Sequence, residues 1–112
     1  AGEIQQVLTN LLLNARDACV EAETTEPAIA VGCLREGSQA VLWVSDNGRG
    51  VPPEVAARLF DPFFTTKEPG RGTGLGLWTS QEIARSHRGV LDFQSQPGQG
   101  TRFCLRLPVA GD

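Results

Sequence analysis

Residues Phe60 to Leu77 read FDPFFTTKEPGRGTGLGL, and the chain is best understood outward from this stretch. Its first part is aromatic and interrupted by Pro62, which forbids regular structure there. Lys67 and Arg71 bracket a turn, and glycines then alternate at 70, 72, 74 and 76. Without Cβ atoms at those positions, an anionic ligand can come close to the main chain. From about Gly74 or just beyond Gly76, the spacing turns helical and stays so to about His87. A Gly-rich segment feeding a helix start suits phosphate binding, because free N–H groups and the helix dipole both attract anions. The plain alternative is a flexible surface loop. Two familiar phosphate loops are excluded by spacing: there is no G-x-x-x-x-G-K-[ST], and the glycines do not follow G-x-G-x-x-G after a strand.

The flanking sequence bounds what such a site belongs to. The 112 residues suit one domain, residues 1–112, with a modest core. A hydrophobic content of 40% and a charged content of 21% are ordinary for a globular chain. Net charge −3 and pI near 5.1 argue against a nucleic-acid partner, which calls for a basic surface. No apolar run reaches the roughly 18 residues of a membrane span, and no signal peptide is read, so no direct membrane contact is expected. Cys19, Cys33 and Cys104 are scattered, with no C-x-x-C pair, and His87 is distant from them in sequence. Reduced, buried thiols in a cytoplasmic domain are expected rather than disulfides or zinc.

Upstream, Glu3 to about Ala22 reads as an amphipathic helix. Ile4, Leu8, Leu11, Leu12, Ala15, Ala18 and Cys19 share a broad apolar face, bordered by a stripe of Glu3, Asn10, Asn14 and Asp17. Asparagines are poor helix formers, yet Asn10 and Asn14 stand at i and i+4. Their amide oxygens are neutral hard ligands that could help hold Mg²⁺. Residues 28–34 and 39–46 read as a hairpin around Glu36-Gly37-Ser38, ending in Asp46-Asn47-Gly48-Arg49-Gly50. That cluster could be a simple tight turn. An acidic side chain at the end of an apolar strand nonetheless needs a donor, such as an exocyclic amine. Pro53 to Leu59 suits a short helix, and Gly89 reads as the stop of the helix ending at His87. Val90–Ser95 and Thr101–Leu107 form a second hairpin. In it Phe103, Leu105 and Leu107 face one way and Arg102 and Arg106 the other, the pattern of a sheet covered on one face.

Taken in order, these motifs resemble the catalytic ATP-binding domain of sensor histidine kinases, in the GHKL superfamily shared with gyrase, Hsp90 and MutL. NLLLNARDA (Asn10–Ala18) is similar to the asparagine box and DNGRG (Asp46–Gly50) to the first glycine box. FDPFFTTK (Phe60–Lys67) is similar to the phenylalanine box, GRGTGLGL (Gly70–Leu77) to the second glycine box, and PGQGTRFCLRLP to the last glycine-containing strand. The likeness covers Glu3 to Pro108, and the NARDA and TTK forms look closest to the nitrogen-regulation and dicarboxylate-sensing subgroup.

The resemblance implies a two-layer α/β sandwich, with a mixed, mostly antiparallel sheet carrying helices on one face. It implies ATP and Mg²⁺ as cofactors. Asp46 would accept a hydrogen bond from the adenine amine, supported by Thr101 and a bridging water. Gly48 and Gly50 would let the backbone approach the base. Asn14 would ligate Mg²⁺, with Asn10 against the metal or the phosphates. Lys67, Arg71, Gly72, Thr73, Gly74, Leu75 and Gly76 would form a lid over the triphosphate, mobile until nucleotide arrives and anchored by Phe60, Phe63 and Phe64. The catalytic set is then Asn10, Asn14 and Lys67. Asp17 departs from the family, many of whose members carry a basic residue there; Arg16 is the neighbouring substitute. The strands that usually precede the first helix and the phosphoacceptor helix are not expected within these residues.

The implied reaction moves the γ-phosphoryl group of ATP to a histidine on a separate dimerisation domain of the same kinase, and indirectly on to a response regulator. Parent kinases of this kind can be membrane-anchored. An imidazole is already largely neutral at pH 7 and needs little general-base help. ATP-hydrolysing relatives carry Glu at the position of Asn10, which favours kinase over ATPase. His87 is read as packing or capping rather than as the acceptor. The rivals are a nucleotide-sensing or partner-docking module without catalytic output, a GHKL-type ATPase, and a serine kinase of the anti-sigma-factor type, against which the phenylalanine box speaks.

Overall fold

A computed structural model describes residues 2–21, 23, 25–62, 76–96 and 98–109. The elements run α1 (Gly2–Glu21), β1 (Ile29–Glu36), β2 (Gln39–Asp46), α2 (Pro53–Ala56), α3 (Gly76–Ser86), β3 (Val90–Gln96) and β4 (Gly100–Pro108). The strands form one sheet in the order β1-β2-β4-β3, and all three pairings are antiparallel. Both expected hairpins are present. Gly37 opens the first hairpin's turn at φ 59.

Strand register sorts the side chains into two faces. Asp46, Thr101 and Ser95 form one row across the sheet, and Val44, Phe103 and Phe93 the next. These rows face the helices. The core joins Val7, Leu11 and Ala15 of α1, Ile83 and Ala84 of α3, and Val44, Leu91, Phe103 and Leu105 of the sheet. Leu11 and Leu105 are among the most deeply buried side chains, and such burial is worth about 1.5–3 kcal/mol each. Val7, absent from the expected apolar face, lies at the centre of it at 1% exposure. Ile4, Leu8 and Leu12 only flank the core, because α1 packs on both α3 and β2 and so buries the line Val7–Leu11–Ala15 between them. Phe60 meets Phe93 and Phe103 edge-on at centroid distances of 5.8 and 6.4 Å. The chain is thereby pinned to the sheet just before the Gly-rich stretch.

Three expectations need correction. α2 covers only Pro53–Ala56, with turns rather than helix as far as Phe60. Of the cysteines only Cys19 is buried; Cys33 is exposed and Cys104 half-buried. Cys33 shares the helix-side face with Leu42, but β1 is an edge strand reached by little of α1, so Ile29 and Val31 are exposed as well. The residue that takes the left-handed conformation after α3 is Arg88, at φ 62, not Gly89. The Gly89 N–H closes the turn onto the Ala84 carbonyl at 2.7 Å, in the manner of a Schellman cap. Gly89 is needed because a Cβ there would run into the Arg106 carbonyl of β4.

Candidate functional site

Asp46 ends β2 opposite Thr101 of β4, and both are buried, at 8% and 6% exposure. The Gly48 N–H donates to Asp46 Oδ1 at 2.8 Å, an Asx turn of the kind the DNG sequence favours. Burial pushes the Asp46 carboxyl above its ordinary value, and the backbone N–H groups of Gly48 and Thr101 pull it partly back. An acceptor desolvated in this way and left with lone-pair capacity suits a ligand that brings its own donor.

The loop around Asp46 is held from several sides. Asn47 Oδ1 accepts from the Ala28 N–H at 2.8 Å, and its Nδ2 donates to the Glu26 carbonyl at 2.9 Å. The Gly98 N–H donates to the Arg49 carbonyl at 2.6 Å. Gly48 packs against α1, where a Cβ would lie 2.7 Å from the Ala18 carbonyl carbon. Gly100 approaches so closely that a Cβ would strike the Asp46 carbonyl oxygen, and it sits at φ 108. Gly50 also has positive φ, 76. The glycine at 48 thus seats the loop on the helix.

Beside Thr101 stands a polar contact network that the sequence reading passed over. Ser95 Oγ donates to the Gly100 carbonyl at 2.9 Å, accepts from the Val51 N–H at 2.7 Å, and lies 2.9 Å from Thr101 Oγ1. Register pairs Ser95 with Thr101; the only sequence signal was a small polar residue in alternation with Leu91 and Phe93 near the end of β3. A shallow cavity of about 290 Å³ opens round this end of the sheet. Asp46, Ser95 and Thr101 line it together with Ser45, Gln94 and Arg102, the last three on the face away from the helices.

On the helical side, Asn10 links α1 to α3. Its Nδ2 donates to the Gly76 carbonyl at 3.3 Å and to Ser80 Oγ at 3.2 Å, and Ser80 Oγ donates to Gly76 at 2.8 Å. Ser80 is fully buried. A carbonyl can only accept, so the amide nitrogen must face Gly76, and Asn10 Oδ1 is the end turned away. Asn14 lies one turn on and half-buried, its side chain without a partner among the described residues. No group of three or more His, Cys, Asp or Glu side chains comes together among those residues. Two neutral amide oxygens fit Mg²⁺, which takes few protein ligands and relies on phosphates and water for the rest.

Glu3 and the Arg16–Asp17 pair of α1 are engaged. Glu3 Oε1 lies 2.9 Å from His87 Nε2, and Asp17 pairs with Arg16 at 3.1 Å. Of the expected site, Asn10, Asn14, Asp46, Gly48, Gly50, Gly76 and Thr101 have described positions. Lys67, Arg71, Gly72, Thr73, Gly74 and Leu75, with Phe63 and Phe64, lie outside the described residues. No described helix is long and apolar enough to cross a membrane.

Comparison with known proteins bears on this arrangement. The family described as histidine kinase-, DNA gyrase B-, and HSP90-like ATPase matches residues 1–111. The chain belongs to this family. Among its members, the chain is 43% identical to the two-component sensor PprA of Pseudomonas aeruginosa, over 98% of this chain and 12% of PprA. It is 41% identical to the C4-dicarboxylate transport sensor protein DctS of Rhodobacter capsulatus, over 95% of this chain and 16% of DctS. The chain therefore spans less than a fifth of the length of these relatives. Solved histidine-kinase structures share the fold of this family member. A mycobacterial sensor histidine kinase, MprB, aligns with a TM-score of 0.80 and 25% identity over 96% of this chain and 72% of that one. Full-length ShkA in complex with AMPPNP aligns with 0.84 and 26% identity over 99% of this chain and 22% of that one.

Proposed function

We propose that this chain is the ATP-binding catalytic domain of a sensor histidine kinase, acting in two-component signalling within a longer protein. The observation that carries the reading is the buried Asp46 carboxylate beside Thr101, aimed from a strand end into the helix-side layer. On this reading Asp46 accepts from the adenine N6 amine, and Asn10 and Asn14 turn amide oxygens toward Mg²⁺, which when bound neutralises phosphate charge. Lys67, Arg71 and the glycines 72, 74 and 76, with Thr73 and Leu75, complete the phosphate end. Transfer breaks the bond from the γ-phosphorus to the β,γ-bridging oxygen and forms a P–N bond to an acceptor imidazole, whose proton leaves to solvent. Such transfer asks mainly for positioning and charge neutralisation.

The α1 geometry supports transfer to histidine over hydrolysis. Water needs a general base, a contribution worth roughly 10²–10⁴-fold. Glu3 is held by His87 and Asp17 by Arg16, while Asn10 offers only an amide. The acceptor histidine lies on a dimerisation domain of the same kinase, a response regulator receives the phosphoryl group downstream, and the domain works in the cytoplasm. Steady-state turnover tests the reading: the chain binds Mg·ATP in calorimetry yet hydrolyses it near background. Sustained rapid hydrolysis by the chain alone would place it with the ATPases instead.

A further inference from the structure

We infer that Ser95 sets the base specificity of the nucleotide site by fixing the polarity of the Thr101 hydroxyl. The inference rests on the proposed nucleotide site at Asp46 and deepens it. Ser95 has a single hydroxyl proton, and its contact to the Gly100 carbonyl at 2.9 Å can only be a donation. One Ser95 lone pair accepts from the Val51 N–H at 2.7 Å. The remaining contact, 2.9 Å to Thr101 Oγ1, must therefore run from Thr101 to Ser95. Ser95 is then saturated, and Thr101 Oγ1 has no proton left for a ligand. Thr101 and Asp46 are register partners on one face, so two acceptors stand side by side with no hydroxyl donor between them. An exocyclic amine satisfies both. A keto oxygen placed there meets only lone pairs, which rejects a 6-oxopurine in favour of a 6-aminopurine.

Ser95 acts through Thr101 and is a positioning residue, so the test must separate polarity from packing. The affinities of the chain for Mg·ATP and Mg·GTP are measured by calorimetry for wild type, Ser95→Ala and Thr101→Val. In Ser95→Ala the Thr101 proton is released and can serve a keto oxygen. The ATP-over-GTP preference is expected to fall about 5- to 10-fold, the equivalent of one hydrogen bond gained on one side of the comparison. A purely structural loss would weaken both nucleotides equally and leave the ratio intact, and that result overturns the inference. Thr101→Val removes the acceptor without disturbing the Ser95 contacts to Gly100 and Val51, and its preference is expected to fall as well. Should Ser95→Ala not fold, an unchanged ratio in Thr101→Val overturns the inference on its own. Wild type that binds ATP with an intact ratio in both variants defeats only this inference. Wild type that binds neither nucleotide defeats the proposed function and this inference with it.

Discussion

Replacing Asp46 by Asn should stabilise the domain at neutral pH while removing most of its nucleotide affinity. Asn keeps the shape of the side chain, and its Oδ1 can still accept from the Gly48 N–H, which lies 2.8 Å from the Asp46 carboxylate. What changes is the other end, where an NH₂ group now faces a ligand amine, donor against donor. Losing a charge-assisted hydrogen bond costs about 1.5–3 kcal/mol, or roughly 10–150-fold in affinity. The donor clash places Asp46→Asn toward the upper end of that range. The stability effect has the opposite sign. Burial raises the Asp46 carboxyl above its ordinary value of 3.8, so the folded chain holds that proton more tightly than the unfolded one. The penalty for ionising it is absent below the ordinary value, grows as pH rises through the raised folded value, and is complete above it. Melting followed across pH should therefore show the Asn variant ahead of wild type at pH 7 and the gap closing in acid. Calorimetry should show ADP binding weakened at least tenfold. Affinity within about threefold of wild type would show that Asp46 does not bond the ligand amine, and a stability gap that ignores pH would show that its burial carries no ionisation penalty.

Three further outcomes follow from contacts around the site. Gly48→Ala should lower stability by about 1–3 kcal/mol, read as a drop in melting temperature, since its Cβ would press on the Ala18 backbone of α1. Ser80→Ala should cost about 0.5–1.5 kcal/mol in denaturant unfolding, because the Asn10 amide keeps only its 3.3 Å contact to Gly76. His87→Ala should change stability by less than about 1 kcal/mol, since its contact with Glu3 is an exposed one, and should leave ADP affinity unaltered in calorimetry.

Much of this molecule was readable from residue order because its motifs sit where local chemistry is strict. A turn sequence such as DNGRG and the alternation in β4 state their geometry directly. The hairpins and the one-sided sheet followed from period-two patterning and Gly-bearing turns. What stayed hidden depends on residues far apart in sequence. Val7 became central only once α3 had packed beside it, and α1's own periodicity did not distinguish it from Leu8. Ser80 carried no signal as a small hydroxyl within a helix, and Ser95 only the weak one of a small polar residue in an alternating strand. Their roles arise from Asn10, 70 residues away, and from the register that sets Ser95 beside Thr101. Gly89 looked like a helix stop, whereas its missing side chain answers the crossing strand and Arg88 makes the left-handed turn.

On the proposed function, this chain phosphorylates a histidine that lies outside it. The most direct measurement mixes the chain with γ-labelled ATP, Mg²⁺ and a separately supplied dimerisation domain from a kinase that carries this chain. Label is expected on that second domain, stable to base and lost in acid, absent when Asp46→Asn replaces wild type and unchanged when His87→Ala does. Label confined to inorganic phosphate, or an acid-stable phosphoprotein, would contradict the proposed function.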